Sequence, residues 1–195
     1  MVRCPLNRVN SRPCVVQRIA VASIRWIGPI RVTSVPMPRE PEMASEISIK
    51  VGKDFQFRAR FEEAAAPKTV SAFRKLLPYR QKLVHCRWSG EGCWIPLGEF
   101  KLDVGYENHT SHPAPGEILW YPGGYSETEL IFAYGDVMFS SKLGQLAGNH
   151  FLTVIEGGEQ LPAMGRKVLY EGAQEIVFED KTTSNTAGTG KRERG

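Results

Sequence analysis

Apolar and polar residues alternate along two neighbouring segments near the start of the central region. Residues 46–51 (EISIKV) and 55–61 (FQFRARF) each place an apolar side chain at every second position. A period of two is typical of strands with one buried face. Gly52 and Lys53 lie between the two segments and suit a two-residue turn with glycine first, so the pattern predicts a β-hairpin.

The next segment, residues 61–78 (FEEAAAPKTVSAFRKLLP), changes to a helical period. Pro67 is suited to the first position of a helix, and apolar residues recur at helical spacing from Val70 to Leu77. Pro78 prevents continuation of the helix. Polar residues fall on the opposite side, so we expect one apolar face to pack on a core made by other elements.

Most of the remaining central region has strand-like patterns again, separated by glycine-rich turns and by a long loop at 99–115. Residues 83–88 and 93–97 predict a second hairpin. Further strands are predicted at 117–121, 129–134, 136–139, 151–155 and 175–179, with Gly135 and Asp136 as turn residues, and a second short helix at 159–169 entered near Pro162. About eight strands and two helices fit a closed barrel, because closure removes exposed sheet edges.

Composition is that of an ordinary globular chain, with 195 residues, 42% hydrophobic and 24% charged. The net charge is +4, but residues 1–43 carry +5 and residues 181–195 carry +3, which leaves −4 for residues 44–180. A nucleic-acid partner is therefore not expected for the central region. No stretch approaches the roughly 20 apolar residues of a membrane span, so no membrane partner is predicted either.

The charge distribution divides the chain into three parts. Residues 44–180 are predicted to form one domain, and the polar tail 181–195 is predicted to be disordered. Residues 1–43 form a basic, proline-containing extension that we expect to lack a stable core. It has two interpretations: the true start is Met37 or Met43, which we favour because MASEISIKVG opens directly into a strand pattern, or the extension is a transit-like targeting segment.

Several segments resemble a known fold family. APKTVSAFRKLLP (66–78 within the helical segment) resembles the first helix of cyclophilins, where an Ala-Pro-x-Thr-Val-x-x-Phe pattern plugs one end of a closed β-barrel. HPAPGEILWYPGG (112–124) and GQLAGNHF (144–151) resemble a family of uncharacterised, mainly prokaryotic cyclophilin-like proteins, over about residues 45–179. The resemblance implies a mainly β fold, a closed cyclophilin-like β-barrel of about eight strands with two short helices. Members of that family have no settled activity.

The active-site segments of prolyl isomerases are not reproduced. Those enzymes present Phe-His-Arg and then Phe-Met-x-Gln-Gly-Gly, whereas here LVHCRWSGEGCW separates His85 from Arg87 by Cys86 and lacks the second motif. On a strand His85 and Arg87 would share one face. The resemblance thus implies a scaffold without prolyl isomerase activity. Alternatives are a residual isomerase using Arg87, or an accessory enzyme of amide or carboxylate metabolism, by analogy with allophanate-hydrolase-type enzymes.

Polar and aromatic residues at predicted strand ends or turns are the candidate ligand-binding residues, because barrel mouths collect ligands. They are Arg87, Trp88, Trp94, Tyr121, Asn149 and His150. We predict that they bind a small polar ligand or a peptide segment at a barrel mouth. Asn149 and His150 are the best candidates, because Gly148 lets the backbone turn sharply and both side chains offer donors and acceptors.

Each candidate also has a structural interpretation. Trp94 and Tyr121 would fill the barrel, Arg87 would be solvated or paired with Glu91, and Asn149 with His150 would cap a turn. A third alternative for the whole protein is a structural subunit of a homo-oligomer.

Other chemistry lacks a pattern. His109 and His112 have ligand-like spacing, but no complete Cys/His zinc set, P-loop or Rossmann motif is present. No metal, cofactor or catalytic residue is therefore assigned. Only Cys86 and Cys93 lie in the central region, and we expect reduced thiols and a cytoplasmic location.

Overall fold

A closed antiparallel β-barrel accounts for most of residues 46–180, the part of the chain that the computed structural model describes. The predicted segments 1–43 and 181–195 lie outside the described residues. In chain order the elements are β1 (Glu46–Val51), β2 (Phe55–Phe61), α1 (Pro67–Arg74), β3 (Tyr79–His85), β4 (Gly90–Gly98), β5 (His109–Thr110), β6 (Glu117–Tyr121), β7 (Thr128–Val137), β8 (Ser140–Ser141), β9 (Gly144–Gln145), β10 (Gly148–Glu156), a 3-10 turn (Gly158–Gln160), α2 (Leu161–Glu171) and β11 (Gln174–Asp180). The predicted fold, a mainly β closed barrel with two helices, is confirmed.

Eight strands close the barrel in the order β2-β1-β11-β3-β4-β7-β6-β10, and β10 returns to pair with β2. Residues 149–153 of β10 pair with β6, and residues 152–156 pair with β2. The pairing with β6 has an irregularity in register between His150 and Leu152, and Leu152 and Thr153 pair with both neighbouring strands. β5 extends the pairing of β10 at its start, while β8 and β9 form a separate two-stranded ribbon.

Large side chains fill the inside of the barrel, and α1 closes one end of it. Phe73 of α1 is fully buried, with its ring centroid 4.9 Å from that of Phe151 and 5.4 Å from that of Phe178. The helix ends at Arg74, and the following apolar residues pack against the same core. The predicted amphipathic helix is confirmed.

Two local predictions are wrong. The β1–β2 loop has three residues, because Val51 pairs with Phe55 and leaves Asp54 in the loop. Gly135 and Asp136 do not form a turn but belong to the ten-residue strand β7. β4 pairs with β7 on both sides of this segment, at Ala133 and Val137, with an irregularity in register between the two pairs. Glu91 of β4 accepts a hydrogen bond from the Asp136 N–H at 3.0 Å.

The wall formed by β4, β7 and β6 is buried on both sides. Alternate residues face inward, such as Leu130 and Phe132, and the others face outward, such as Ile131 and Ala133. The outward residues form a second apolar layer that Phe139 and its neighbours near the β8–β9 ribbon cover. This outer layer positions the site described below. Within residues 46–180, no helix has the length and apolar character needed to cross a membrane.

Helix α2 packs closely on β7 through a glycine. The Tyr134 ring lies directly on the backbone of Gly165, where an added Cβ would overlap the ring carbons. The Tyr134 hydroxyl lies 2.8 Å from Nε2 of His85, so the ring is held in place from the other end. Close contact therefore requires glycine at this position of the helix.

Replacement Gly165→Ala is expected to lower the free energy of unfolding by about 1 to 3 kcal/mol, because overpacking outweighs the better helix propensity of alanine. Urea unfolding of the full chain measures the effect. The matched control is Gly158→Ala, where an added Cβ meets no atom within 4 Å, and a change within about 0.5 kcal/mol is expected there. Equal effects of the two replacements would contradict the close packing of α2.

Candidate functional site

A cavity of about 210 Å³ lies against the outer face of β4 and β7, and we call it the outer-face pocket. Trp94 of β4 with Glu129 and Ile131 of β7 form its floor. Residues 86–89 form one wall, and residues 140–142 of the β8–β9 ribbon form another. The pocket therefore lies outside the barrel, where the second apolar layer is incomplete.

Hydrogen bonds fix the two walls to each other. The Ser89 hydroxyl donates to the Ser140 carbonyl at 3.1 Å and accepts from the Ser140 N–H at 3.1 Å. The Ser89 carbonyl accepts the N–H of Met138 at 3.2 Å. Gly90 follows with φ of +84°, and a Cβ there would lie 2.6 Å from the Asp136 carbonyl oxygen. The pocket is thus built by a turn that requires glycine and by a pair of serines.

Glu129 is the most unusual residue of the pocket. Only 6% of it is exposed, and within residues 46–180 its carboxyl has no hydrogen bond or ion pair. It lies opposite Pro96 on β4 and Tyr121 on β6, on an otherwise apolar face. Burial, and to a lesser degree the negative charge of Glu127, raise the pKa of Glu129 to about 8. The carboxyl is therefore largely protonated at neutral pH.

Cys86 lies beside Glu129, but its thiol is not activated. Burial is the main cause that raises the pKa of Cys86 far above its usual range, and the Cys93 and Glu129 charges add to it. A nucleophilic cysteine needs a thiolate, so this protonated thiol does not serve as one. Cys93 is buried in the main core, and both cysteines are free.

Three of the six predicted site residues, Arg87, Trp88 and Trp94, come together in the outer-face pocket. β3 ends at His85, so Arg87 lies in an exposed loop and does not share a strand face with His85. Trp88 is 58% exposed, whereas Trp94 is half-buried against the outer apolar layer.

Tyr121 lies in the outer layer but does not line the pocket. It is buried, and its ring packs edge-on against Phe139 with centroids 5.6 Å apart. Its hydroxyl accepts the N–H of Tyr125 at 3.1 Å. The geometry matches the structural interpretation of this residue, a packed ring with a satisfied polar tip.

Asn149 is fully buried and lies within β10, away from the outer-face pocket. Its amide nitrogen donates to the Thr69 hydroxyl at 3.0 Å and to the Gly105 carbonyl at 2.9 Å. Its amide oxygen accepts the N–H of Glu107 at 3.0 Å. The predicted sharp turn at Gly148 is wrong: this glycine begins the strand, and a Cβ there would lie 2.9 Å from the Leu119 Cβ.

The Asn149 contacts complete the N-terminal cap of α1. The residue before the helix provides no side-chain cap. Instead, the Glu107 carboxylate accepts from both the N–H and the hydroxyl of Thr69, at 2.5 and 2.7 Å. A carboxylate at a helix N-terminus satisfies free N–H groups and interacts favourably with the helix dipole. We call Asn149, Thr69 and Glu107 the capping cluster.

His150 faces a different group of residues. Its Nε2 lies 2.8 Å from the Thr153 hydroxyl, which donates to the Glu62 carboxylate at 2.7 Å. Burial raises the pKa of Glu62, but the hydrogen bonds from Thr153 and Arg60 outweigh it, and the pKa is lowered overall. His150 thus belongs to a polar chain between β10 and β2 and does not meet the three pocket residues.

His109, which lies in β5, and His112 do not build a metal site. His109 packs edge-on against Tyr106, with ring centroids 5.4 Å apart. Among the described residues, no group of three or more His, Cys, Asp or Glu side chains is arranged to hold a metal ion.

Sequence reasoning missed Glu129. It lies at the start of ELIFAY, where it precedes Ile131 and Ala133 at a spacing of two. A single carboxylate on an otherwise apolar strand face was the available signal, because charged residues are seldom buried without a partner.

The chain has a clear family relationship. A family model described as "Protein of unknown function (DUF3830)" matches residues 47–180. No curated protein matches the chain.

Two solved structures match the chain. A structure of McbB in complex with tryptophan has a TM-score of 0.53 and 17% identity, and the match covers 74% of this chain and 46% of that chain. The chain thus spans less than half the length of McbB. The solution structure of the hypothetical protein AF2241 from Archaeoglobus fulgidus has a TM-score of 0.46 and 13% identity, with coverage of 74% and 99%. At this identity, the likeness to McbB is one of fold.

Replacement Asn149→Ala is expected to lower the free energy of unfolding by about 1 to 3 kcal/mol, because it leaves the buried partners of the amide unsatisfied. Urea unfolding measures this. His150→Ala, at the next position of β10, removes a partly exposed side chain and is expected to cost less. If the two replacements cost the same, the capping cluster does not have the stabilising role inferred from its geometry.

The state of Glu129 predicts a pH dependence of stability. Because its pKa is about 8 in the folded chain and near 4.5 ordinarily, the folded state binds more protons between these values. Stability from this group is therefore lost as the pH rises from about 5 to about 8. Glu129→Gln is expected to remove that slope, which is at most about 1.4 kcal/mol per pH unit. Urea unfolding at several pH values tests this, and a constant wild-type-to-variant difference would contradict a buried neutral carboxyl.

Proposed function

The chain belongs to the family described as protein of unknown function (DUF3830), and we propose that this member binds a small polar ligand in the outer-face pocket. The observation that carries the proposal is Glu129, a largely buried residue whose carboxyl faces the cavity and has no partner within residues 46–180. Buried polar groups are nearly always hydrogen-bonded, and exceptions are commonly explained by function. A ligand that forms a hydrogen bond or an ion pair with Glu129 would remove the free-energy cost of shielding its carboxyl from water without a partner.

The other pocket residues suit such a ligand. Trp88 and Trp94 offer large apolar surfaces, and the serine hydroxyls and Arg87 offer polar contacts near the rim. Ligand sites are commonly apolar cavities with a few placed polar groups, and typical volumes are about 300 to 1,000 Å³. At about 210 Å³ the outer-face pocket favours a small ligand over a peptide segment.

We propose binding without prolyl isomerase activity. Catalysis by a cysteine would need a thiolate, and the Cys86 thiol is held protonated by burial. Arg87, the residue on which a residual isomerase would depend, lies exposed in a loop, and the pocket that it lines also contains Glu127 and Glu129. An isomerase is expected to pair its arginine with a proline pocket that contains no carboxyl groups.

The similarity to McbB agrees with a small-molecule ligand in general terms. That protein was solved in complex with tryptophan. A likeness of fold alone does not transfer tryptophan to this chain, and the ligand class has to be inferred from the residues of the outer-face pocket.

A thermal-shift screen of the full chain against a metabolite library tests the proposal. A ligand present at about 100 times its dissociation constant stabilises the folded state by about 2.7 kcal/mol, so a hit is expected to raise Tm measurably. The hits should be lost or weakened in Trp94→Ala and Trp88→Ala. Tyr170→Ala is the matched control, since Tyr170 is an exposed aromatic residue outside the pocket.

Two results would contradict the proposal. One is that no compound shifts Tm and native mass spectrometry of freshly purified protein shows no bound molecule. The other is that hits persist unchanged in both tryptophan variants. In a protease-coupled prolyl peptide assay, wild type and Arg87→Ala are both expected to give the uncatalysed rate.

A further inference from the structure

We infer that the ligand of the outer-face pocket carries an alkylammonium group, which forms an ion pair with Glu129 next to the indole rings of Trp88 and Trp94. This inference rests on the proposed function and names the chemical class of its ligand. It follows from the position of Glu129, from the charges around it and from the two rings.

The position of Glu129 favours a positively charged ligand. Glu129 is 94% shielded from solvent, yet within residues 46–180 no lysine, arginine or histidine forms an ion pair with it. The two basic residues of the pocket, Arg87 and Lys142, are both exposed. A buried carboxylate is stable only with a partner of opposite charge or a set of hydrogen bonds. The described residues 46–180 supply neither, so a positively charged ligand group would complete the site.

The two tryptophans favour the same class. Trp94 pairs with Ile131 across the β4–β7 ladder, and Glu129 lies two residues before Ile131 on the same face. Trp94 and Glu129 are therefore diagonal neighbours, within reach of one small group. Trp88 lies in the adjacent wall. Cations are attracted to the faces of aromatic rings, most strongly to that of tryptophan.

Charged and titratable groups surround Glu129 on several of the elements that pack against it. Cys86 and Arg87 come from the first wall and Glu127 from the segment before β7. Tyr121 comes from β6 and Lys142 from the ribbon. The residues of β4 at this face, Trp94 and Pro96, do not titrate. An anionic ligand would bring a like charge towards Glu127 and would hold Glu129 in its neutral form, whereas an ammonium group brings the charge opposite to that of the ionised carboxyls.

Binding is coupled to release of a proton. The ammonium group enters with its three protons, and the protonated carboxyl of Glu129 becomes a carboxylate and gives one proton to the solvent. Since burial raises the pKa of Glu129 to about 8, nearly one proton is expected to be released per amine bound at pH 7. As the pH rises towards 8, the apparent Kd of the amine should fall about tenfold per pH unit, because only the ionised form of Glu129 binds it. Above pH 8 the apparent Kd should become constant.

The experiment uses isothermal titration calorimetry of the full chain with three matched sets of probes. The amines are butylamine, benzylamine and tryptamine, and each is compared with the alcohol and the carboxylate of matching skeleton. Titrations at pH 7 in phosphate and in MOPS, neither of which contains a primary ammonium group, give the number of protons released, because the two buffers differ in ionisation enthalpy. At least one amine is expected to bind ten or more times tighter than its alcohol and its carboxylate.

Variants assign the effect to Glu129. Glu129→Gln is expected to weaken amine binding at least tenfold and to abolish proton release. Trp88→Ala changes an exposed loop residue and is expected to weaken it three- to tenfold, which provides a second variant if Glu129→Gln fails to fold. Glu159→Gln is the matched control, since Glu159 is exposed and outside the pocket, and its affinity should equal that of wild type.

The outcomes distinguish this inference from the proposed function. If alcohols or carboxylates bind as tightly as the amines, and Trp94→Ala abolishes that binding, the pocket binds ligands but the ammonium class is wrong. If amines bind equally to Glu129→Gln without proton release, the assignment to Glu129 is wrong. If no probe binds while the metabolite screen yields pocket-dependent hits, only the ammonium inference is wrong. If neither the probes nor the metabolite library shows binding, the proposed function is wrong as well.

Discussion

Closure of the barrel through β10 is the constraint on which the other parts of the structure depend. This strand pairs with β6 along its first half and with β2 along its second half. Without that double pairing, two sheet edges would be exposed and the interior rings would lose one wall. Because β10 must pass close to β6, its first residue is glycine, and the next position delivers a buried amide to the end of the barrel where α1 lies. The same two residues of β10 therefore serve both the closure of the barrel and the capping of α1.

The outer-face pocket has its origin in the two-sided burial of β7. Most antiparallel strands bury one face and leave the other in water, but the outward residues of β7 are covered by a second apolar layer. The layer ends near the start of the strand, at Glu129, where the ribbon and residues 86–89 leave a cavity. A carboxyl at that boundary is largely shielded from water and receives no partner from residues 46–180. The site therefore arises where packing stops, in a position that the barrel interior could not offer because side chains fill it.

Local pattern was sufficient to predict the elements whose burial is one-sided. β1, β2 and α1 follow from periods of 2 and 3.6, and the resemblance of the helix and loop motifs led to the closed barrel. The continuity of β7 through Gly135 could not be read locally, because it depends on pairing with β4. Asn149 was chosen for its hydrogen-bonding capacity, which serves a helix cap as well as it serves a ligand. Glu129 was passed over because its burial is a tertiary property, created by a ribbon that follows it in the chain.

The capping cluster has a consequence for how the sequence can vary. Thr69 lies in the helix motif and Asn149 in GNHF, 80 positions apart, yet their side chains share a hydrogen bond, and Glu107 joins both. Residues in one hydrogen-bonded network do not contribute independently to stability. Changes at these three positions are therefore epistatic: a substitution tolerated in one background is costly in another. The helix motif and GNHF are therefore expected to change together between related sequences, although they are far apart along the chain.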